Sequence, residues 1–426
     1  MKHKFKPESL MMTHAYRPEW SEGAIKCPIF QTSTFAFERA EEGKAFFEVA
    51  YGKREPIPNE KLGLIYSRIN NPDLEILERR LCLWDEADDC AVFESGMSAI
   101  TTVLLEFLAP GDLLVYSRPI YGGTDHFIHH FLTKMGIHVL GFRPGEEQDE
   151  LVEMIRESGY ADKLKLIYVE TPANPTNDLI DIEACRKVAD TFSRGEEEVL
   201  VTVDNTYMGP LWQQPLHLGA DLVMYSATKY IGGHSDIIAG AVLGGQELMQ
   251  RVKTLRTFLG NMAGPWTGWL MMRSLETLKL RMEKQERNAK KVAAFLNEHE
   301  RVKRVNYLGL LTEDRAREYE VFQRQCKGTG AMVSFEIVGG EAEAFAFLNA
   351  LSLIKLAVSL GSTESLAEHP KTMTHAGVNP EHLAEMQITD ALIRLSVGVE
   401  HADDIIFDLD QALDSVGQRD HFDSAQ

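Results

Sequence analysis

No run in the 426 residues is long and apolar enough to cross a bilayer, and Met1-Lys-His-Lys-Phe-Lys has no apolar stretch behind its lysines. Neither membrane insertion nor secretion is expected, and a cytoplasmic location is. Basic charge is short as well: 44 Lys and Arg stand against 64 Asp and Glu, a formal net charge of -20. That excludes nucleic acid as a partner, because binding phosphodiesters requires a basic face, but leaves room for a local anion pocket. Cysteine is sparse. Cys27, Cys82, Cys90, Cys185 and Cys326 are scattered, odd in number and form no C-x-x-C, which reads as reduced thiols.

Several catalytic signatures are absent too. There is no G-x-G-x-x-G for a dinucleotide, no G-x-x-x-x-G-K for a nucleoside triphosphate, and no H-E-x-x-H. Ser226-Ala-Thr-Lys229 matches the S-x-x-K of penicillin-binding enzymes, but no S-D-N or K-T-G accompanies it. His126 and His130 are four apart, yet no acid or cysteine at a suitable spacing completes a metal site, so they read as a helix face and no metal is expected. Repeats and low-complexity tracts are lacking.

What is present is a long alternation of strand-like and helical segments. Residues 1 to 70 lack sustained periodicity and read as an extended arm or loop-rich cap. After Asn71-Pro72, Leu74, Leu77, Leu81 and Trp84 fall at helical spacing. Strand-length runs follow at 90–93, 112–117, 138–142, 164–169, 199–203, 221–225 and 237–244, several continuously apolar, as in strands buried on both faces. Helix is expected from about Trp266 to His299, then a smaller set of strands at 331–338, 353–360 and 391–399, then a closing amphipathic helix. The expected architecture is an α/β sheet wrapped by helices, with ligands beyond the strand ends.

Three strand ends carry chemistry. "VLVTVDNTY" ends at Asp204, "KLIYVETPANPT" at Glu170 to Asn174, and "DLVMYSATK" at Ser226, Thr228 and Lys229. Taken singly, Lys229 is as compatible with a solvated lysine, and Asp204 with an Asx turn. An acid about 25 residues before a lysine, each ending its own strand, is what a pyridoxal-phosphate site requires. The lysine supplies an amine for the cofactor, and the carboxylate keeps the pyridine nitrogen protonated. In "FESGMSAI" a strand, a Ser-Gly turn and a helix start would aim the amides of Gly96 and Met97 at an anion, with hydroxyls from Ser226 and Thr228.

From about Ser21 to its end, the chain resembles the transsulfuration (Cys/Met metabolism) family of pyridoxal-phosphate enzymes. The resemblance rests on "YSRINNP", "ESGMSAI", "YGGT", "ETPANPT", "VDNTY", "SATKYIGGHSD", "SLETLKLRM", "SLGSTESLAEHPKTMTH" and "LIRLSVGVE". It implies fold type I: a large, mostly parallel seven-stranded sheet domain over 71–276 and a smaller C-terminal α+β domain over 277–426. It also implies a homotetramer, a dimer of dimers in which residues 1–70 reach the neighbouring subunit. By the same resemblance Lys229 is the cofactor-linking lysine, Asp204 the pyridinium partner and Tyr121 the tyrosine stacked on the ring. Asn174 lies beside cofactor and substrate, Arg394 clamps the substrate carboxylate, and Ser359 neighbours the lysine. Tyr66 and Arg68 reach the neighbour's phosphate.

The resemblance implies a carbon–sulfur lyase acting on a sulfur amino acid by β- or γ-elimination. Where cystathionine-binding members commonly carry a glutamate before "SLG", this chain has Val358, and Ile65 replaces an acid that often precedes "YSR". Both resemble methionine γ-lyase. Gly123 replaces the cysteine of those lyases, "FLGNMAGPWTG" is shorter than its counterpart, and residues 50–63 resemble an insertion, where Glu55 or Glu60 could supply another acid. Methionine, cystathionine and activated homoserine stay open as substrates, and γ-replacement as the alternative reaction. A catalytically inactive scaffold is the remaining reading, against which Lys229, Asp204, Tyr121 and Arg394 are all present.

Overall fold

The computed structural model describes residues 5–50, 52–58, 60, 62–195 and 197–416. Parts of the expected arm (1–4), of the insertion (Tyr51, Asn59, Lys61) and of the C-terminal domain (417–426) therefore lie outside the described residues.

Seven strands form the large sheet: β1 (Asp89–Phe93), β2 (Leu113–Ser117), β3 (His138–Phe142), β4 (Leu164–Glu170), β5 (Leu200–Asp204), β6 (Leu222–Tyr225) and β7 (Gly240–Gly244). Their order is β1-β7-β6-β5-β4-β2-β3, and only β7 runs antiparallel to its neighbours. The apolar runs are continuous because both faces are covered. On β4, Leu166 and Tyr168 pack under the helix Gly96–Phe107, while Ile167 and Val169 face Cys185 and Val188 of the helix Ile182–Phe192. The seven expected strands all form, with ends that differ from expectation by three residues at most.

The helix expected after Asn71 spans Pro72–Asp85. Asn71 caps it by accepting the Asp73 amide, Pro72 sits in its first turn, and Leu74, Leu77, Leu81 and Trp84 are buried. The stretch read as one helix from Trp266 to His299 is two, Pro265–Leu275 and Leu278–Glu298, parted at Glu276 and Thr277. The arm is more ordered than expected. It contains an 11-residue helix, Ala40–Ala50, and Met11, Tyr16 and Cys27 join the core beside Leu77 and Leu81.

A second sheet comprises β8 (Val302–Asn306), β9 (Met332–Ile337), β10 (Lys355–Leu356), β11 (Leu366–Glu368) and β12 (Leu392–Ser396), in the order β10-β11-β12-β9-β8. Sequence patterning missed β8, whose Val-Lys-Arg-Val-Asn is only half buried, and β11, which is three residues long. The expected strand over 353–360 shrinks to Lys355–Leu356. Asp408 accepts the amides of Ser352, Leu353 and Ile354 at 2.8, 2.9 and 2.8 Å, and a carboxylate holding three amides leaves no ladder there.

Candidate active site

The carboxyl ends of β4 and β5 and the turn after β6 open onto one cavity of about 240 Å3. Its lining includes Gly96, Met97, Tyr121, Asn174, Asp204, Ser226, Thr228, Lys229, Val358 and Arg394. Ten of the sequence-derived site residues, spread over 299 positions, thus meet at one place. Ser359 joins them by accepting a 3.0 Å hydrogen bond from Lys229 Nζ. A larger cleft of about 540 Å3 lies between Arg118, Arg143, Arg304 and Glu385 and holds none of these residues.

Lys229 lies in the turn Ser226–Gly233, where Gly232 and Gly233 donate back to the carbonyls of Ala227 and Lys229. Gly233 has a φ of +68°, and a Cβ there would lie 1.9 Å from an Arg281 nitrogen, so only glycine closes this turn. Burial, then the nearby Arg394 charge, pushes the Lys229 amine down to about 8. Near neutral pH a sizeable fraction of it is an uncharged base, which an exposed lysine is not.

Asp204 and Glu170 are paired across β5 and β4. Tyr168 Oη donates to Asp204 Oδ2 at 3.4 Å and the Thr206 amide to Oδ1 at 2.9 Å. Burial raises both carboxyls; Glu170, which also feels the Asp204 charge, is pushed up to about 8. Two buried carboxylates this close do not both ionise, and Glu170, raised by burial and by the Asp204 charge together, is the neutral member. Glu170 was visible in the sequence only as a strand end. Here its Oε2 accepts the Tyr121 amide at 2.7 Å and its Oε1 the Asn174 amide at 3.2 Å, so one side chain seats two cavity residues. Tyr207, whose buried hydroxyl has no partner among the described residues, and Thr206, which accepts the Ser226 amide at 2.7 Å, line the cavity and were also missed. Nothing in their spacing marked them.

The helix Gly96–Phe107 points its N-terminus at this turn. Ser95 caps it, accepting the Ser98 amide at 3.0 Å, which leaves the amides of Gly96 and Met97 without intrahelical acceptors. A Cβ on Gly96 would stand 2.8 Å from Ser226 Cβ, so the close approach of helix and turn depends on glycine. The Thr228 hydroxyl, at the cavity wall, donates to the Ala239 carbonyl at 3.2 Å and accepts the Ala239 amide at 3.0 Å. Free amides at a helix N-terminus, a buried carboxylate and a desolvated lysine are the donor set that a phosphorylated pyridine aldehyde requires.

Arg394 is buried. Its Nη1 lies 2.6 Å from Glu368 Oε1 and donates to Asn174 Oδ1 at 3.1 Å. Its Nη2 donates to the carbonyls of Val358 and Ser359 at 3.2 and 3.0 Å. Gly123 has a packing reason: a Cβ there would sit 2.6 Å from the Tyr121 ring, so a cysteine would displace the tyrosine.

Tyr66 and Arg68 do not join the cavity of their own chain. Arg68 stacks on Tyr66, its guanidinium carbon 5.7 Å from the ring centre, and donates to the Thr257 carbonyl at 2.6 Å. Ile65 is buried in the arm, away from the cavity. Both Glu60 oxygens accept Arg54 nitrogens, at 2.8 and 2.7 Å, which together with the Ile57 amide holds Glu60 down at about 2. His126 and His130 stack ring on ring at 4.0 Å, and among the described residues no group of three metal-ligating side chains occurs.

The chain is 40% identical over 396 residues to the L-methionine gamma-lyase of Fusobacterium nucleatum subsp. polymorphum, covering 92% of this chain and 94% of that protein. It is 37% identical over 396 residues to the cystathionine gamma-lyase of Rattus norvegicus, covering 93% and 92%. Among solved structures, the cystathionine gamma synthase of Xanthomonas oryzae pv. oryzae, in complex with aminoacrylate and cysteine, superposes with a TM-score of 0.86 at 32% identity, over 97% of this chain and 99% of that one. The model of the Cys/Met metabolism PLP-dependent enzyme family matches residues 8–414, and with these relatives it shows that the chain belongs to that family.

Proposed function

We propose that this protein is a pyridoxal-phosphate-dependent carbon–sulfur lyase that takes methionine to methanethiol, 2-oxobutanoate and ammonia. The observation that carries the choice of substrate is Val358 at the cavity wall, where an apolar side chain, and no free acid, faces the far end of a substrate. A distal ammonium finds no counter-ion in that side chain, while a methyl thioether needs none. The similarity to methionine lyases supports the same reading.

Pyridoxal phosphate, when bound, supplies an aldehyde that an amine can join and a ring that accepts the electron pair left by a departing α-proton. The Gly96 and Met97 amides and Ser226 would hold its phosphate, Asp204 its ring nitrogen, and Tyr121 would lie on its face. Arg394 and Asn174 grip the substrate carboxylate in a two-pronged contact and fix the α-carbon–hydrogen bond toward Lys229. Lys229, uncharged in part near neutral pH, takes that proton; Ser359 Oγ orients the amine. Tyr121 stands at the cavity mouth, placed to return a proton to the departing sulfur.

Five free cysteines support a reducing, cytoplasmic setting. Phe258 is 79% exposed in the single chain, next to Thr257, whose carbonyl accepts from Arg68, which supports a homotetramer with sites shared between subunits. The break at Glu276 and Thr277 supports a domain boundary near 277, and the capped start of the helix Pro72–Asp85 supports one near 70.

The test is a panel of methionine, cystathionine and activated homoserine with added thiol, scoring keto acid, ammonia and thiol. Methionine giving 2-oxobutanoate and methanethiol is expected. Pyruvate from cystathionine, or a new thioether in place of keto acid, would replace the reading by β-elimination or γ-replacement.

A further inference from the structure

Arg394 carries more counter-charge than a carboxylate receptor needs. Glu368 faces it in the register of β11 and β12, fully buried, and Thr374 Oγ1 donates to the same Oε1 at 3.0 Å. Glu368 Oε2 is different: it is sealed from solvent and has no hydrogen-bond partner among the described residues. A buried carboxylate with one bare oxygen stays ionised only while an adjacent cation balances it. A substrate carboxylate arriving at Arg394 would set two anions on one guanidinium, a situation in which one of them goes neutral.

We propose that Glu368 is the counter-ion of the Arg394 clamp: it positions the guanidinium while the site is free and takes up one proton from solvent, at Oε2, when a substrate carboxylate takes over the arginine's charge. This rests on the reading of Arg394 as the carboxylate clamp. Other groups facing Glu368 do not supply that proton. Thr374 is a neutral donor, and His375, bonded to Thr374 at 3.0 Å, is neutral because burial pushes it down to about 4. Tyr207 is pushed up by burial, and Lys229 is needed as a base. Burial raises Glu368 itself, against the opposing charge of Arg394, the Thr374 hydrogen bond and the Lys229 charge.

The cofactor-loaded protein is titrated calorimetrically with norleucine, which has methionine's shape and no sulfur to eliminate, in two buffers of different ionisation heat near neutral pH. Wild type is expected to take up about one proton more per norleucine than E368Q, which keeps the shape and cannot titrate. Equal proton counts overturn the proposal. Should E368Q not fold, wild type is titrated with pentylamine, which has no carboxylate. About one proton fewer than with norleucine supports the proposal, and equal uptake overturns it. If pentylamine binds as tightly as norleucine, the clamp itself is wrong, and that result is an affinity, distinct from the proton count.

Discussion

At the scale of single residues, burial decides what each functional group can do. Lys229, desolvated beside Arg394, is brought down to about 8. The sequence placed it at a strand end between hydroxyls and glycines; it could not show that Ser359, 130 positions away, accepts from its amine. Val358 is 55% exposed in the single chain, so a charge placed there is partly screened. Val358→Glu is therefore expected to raise kcat/KM for cystathionine relative to methionine by about two- to fivefold, equivalent to about 0.5–1 kcal/mol. Steady-state kinetics on both substrates check this, and a wild type that already prefers cystathionine would sink the methionine reading.

At the scale of elements, the helix Gly96–Phe107 and the turn carrying Lys229 are held together by the absence of a side chain. Gly96→Ala drives a Cβ to 2.8 Å from Ser226 Cβ and 2.9 Å from its Cα, and backbone cannot swing away as a flexible side chain can. About 1–3 kcal/mol of stability is expected to be lost, together with at least about tenfold in affinity for the cofactor, as the helix amides retreat from the turn. Thermal unfolding and cofactor titration read the two effects separately; unchanged cofactor affinity would remove this helix end from the phosphate site. Patterning found all seven strands of the large sheet because six of them are almost wholly buried, and β3 at the edge keeps its apolar Val139, Leu140 and Phe142. It misread 353–360 because Asp408, on the closing helix, takes the amides of Ser352, Leu353 and Ile354, and Arg394 takes the carbonyls of Val358 and Ser359.

At the scale of the whole molecule, the arm is the part a single chain leaves unexplained. Tyr66 and Arg68 lie against Thr257 of their own chain and not at their own cavity, which is the arrangement expected of residues meant for a neighbour. Arg68→Ala and Lys229→Ala proteins, each inactive alone, should regain up to about a quarter of wild-type activity once their subunits are mixed and exchanged. Half of the dimers are then mixed, and each mixed dimer has one intact site of two. Exchange demonstrated by mass, with no recovered activity, would rule out a shared site.

The sequence by itself determined the residue chemistry and the order of the elements: an acid, a lysine and a glycine-led helix start each sit at the end of an apolar run, and such local patterns are written in consecutive residues. Only the tertiary structure decided which of those ends converge, that Glu170 stands beside Asp204, that Glu368 neutralises Arg394, and that Gly123 makes room for the Tyr121 ring. Most of those contacts join segments well apart in the sequence, and the strength of each depends on how much water the rest of the fold excludes from it.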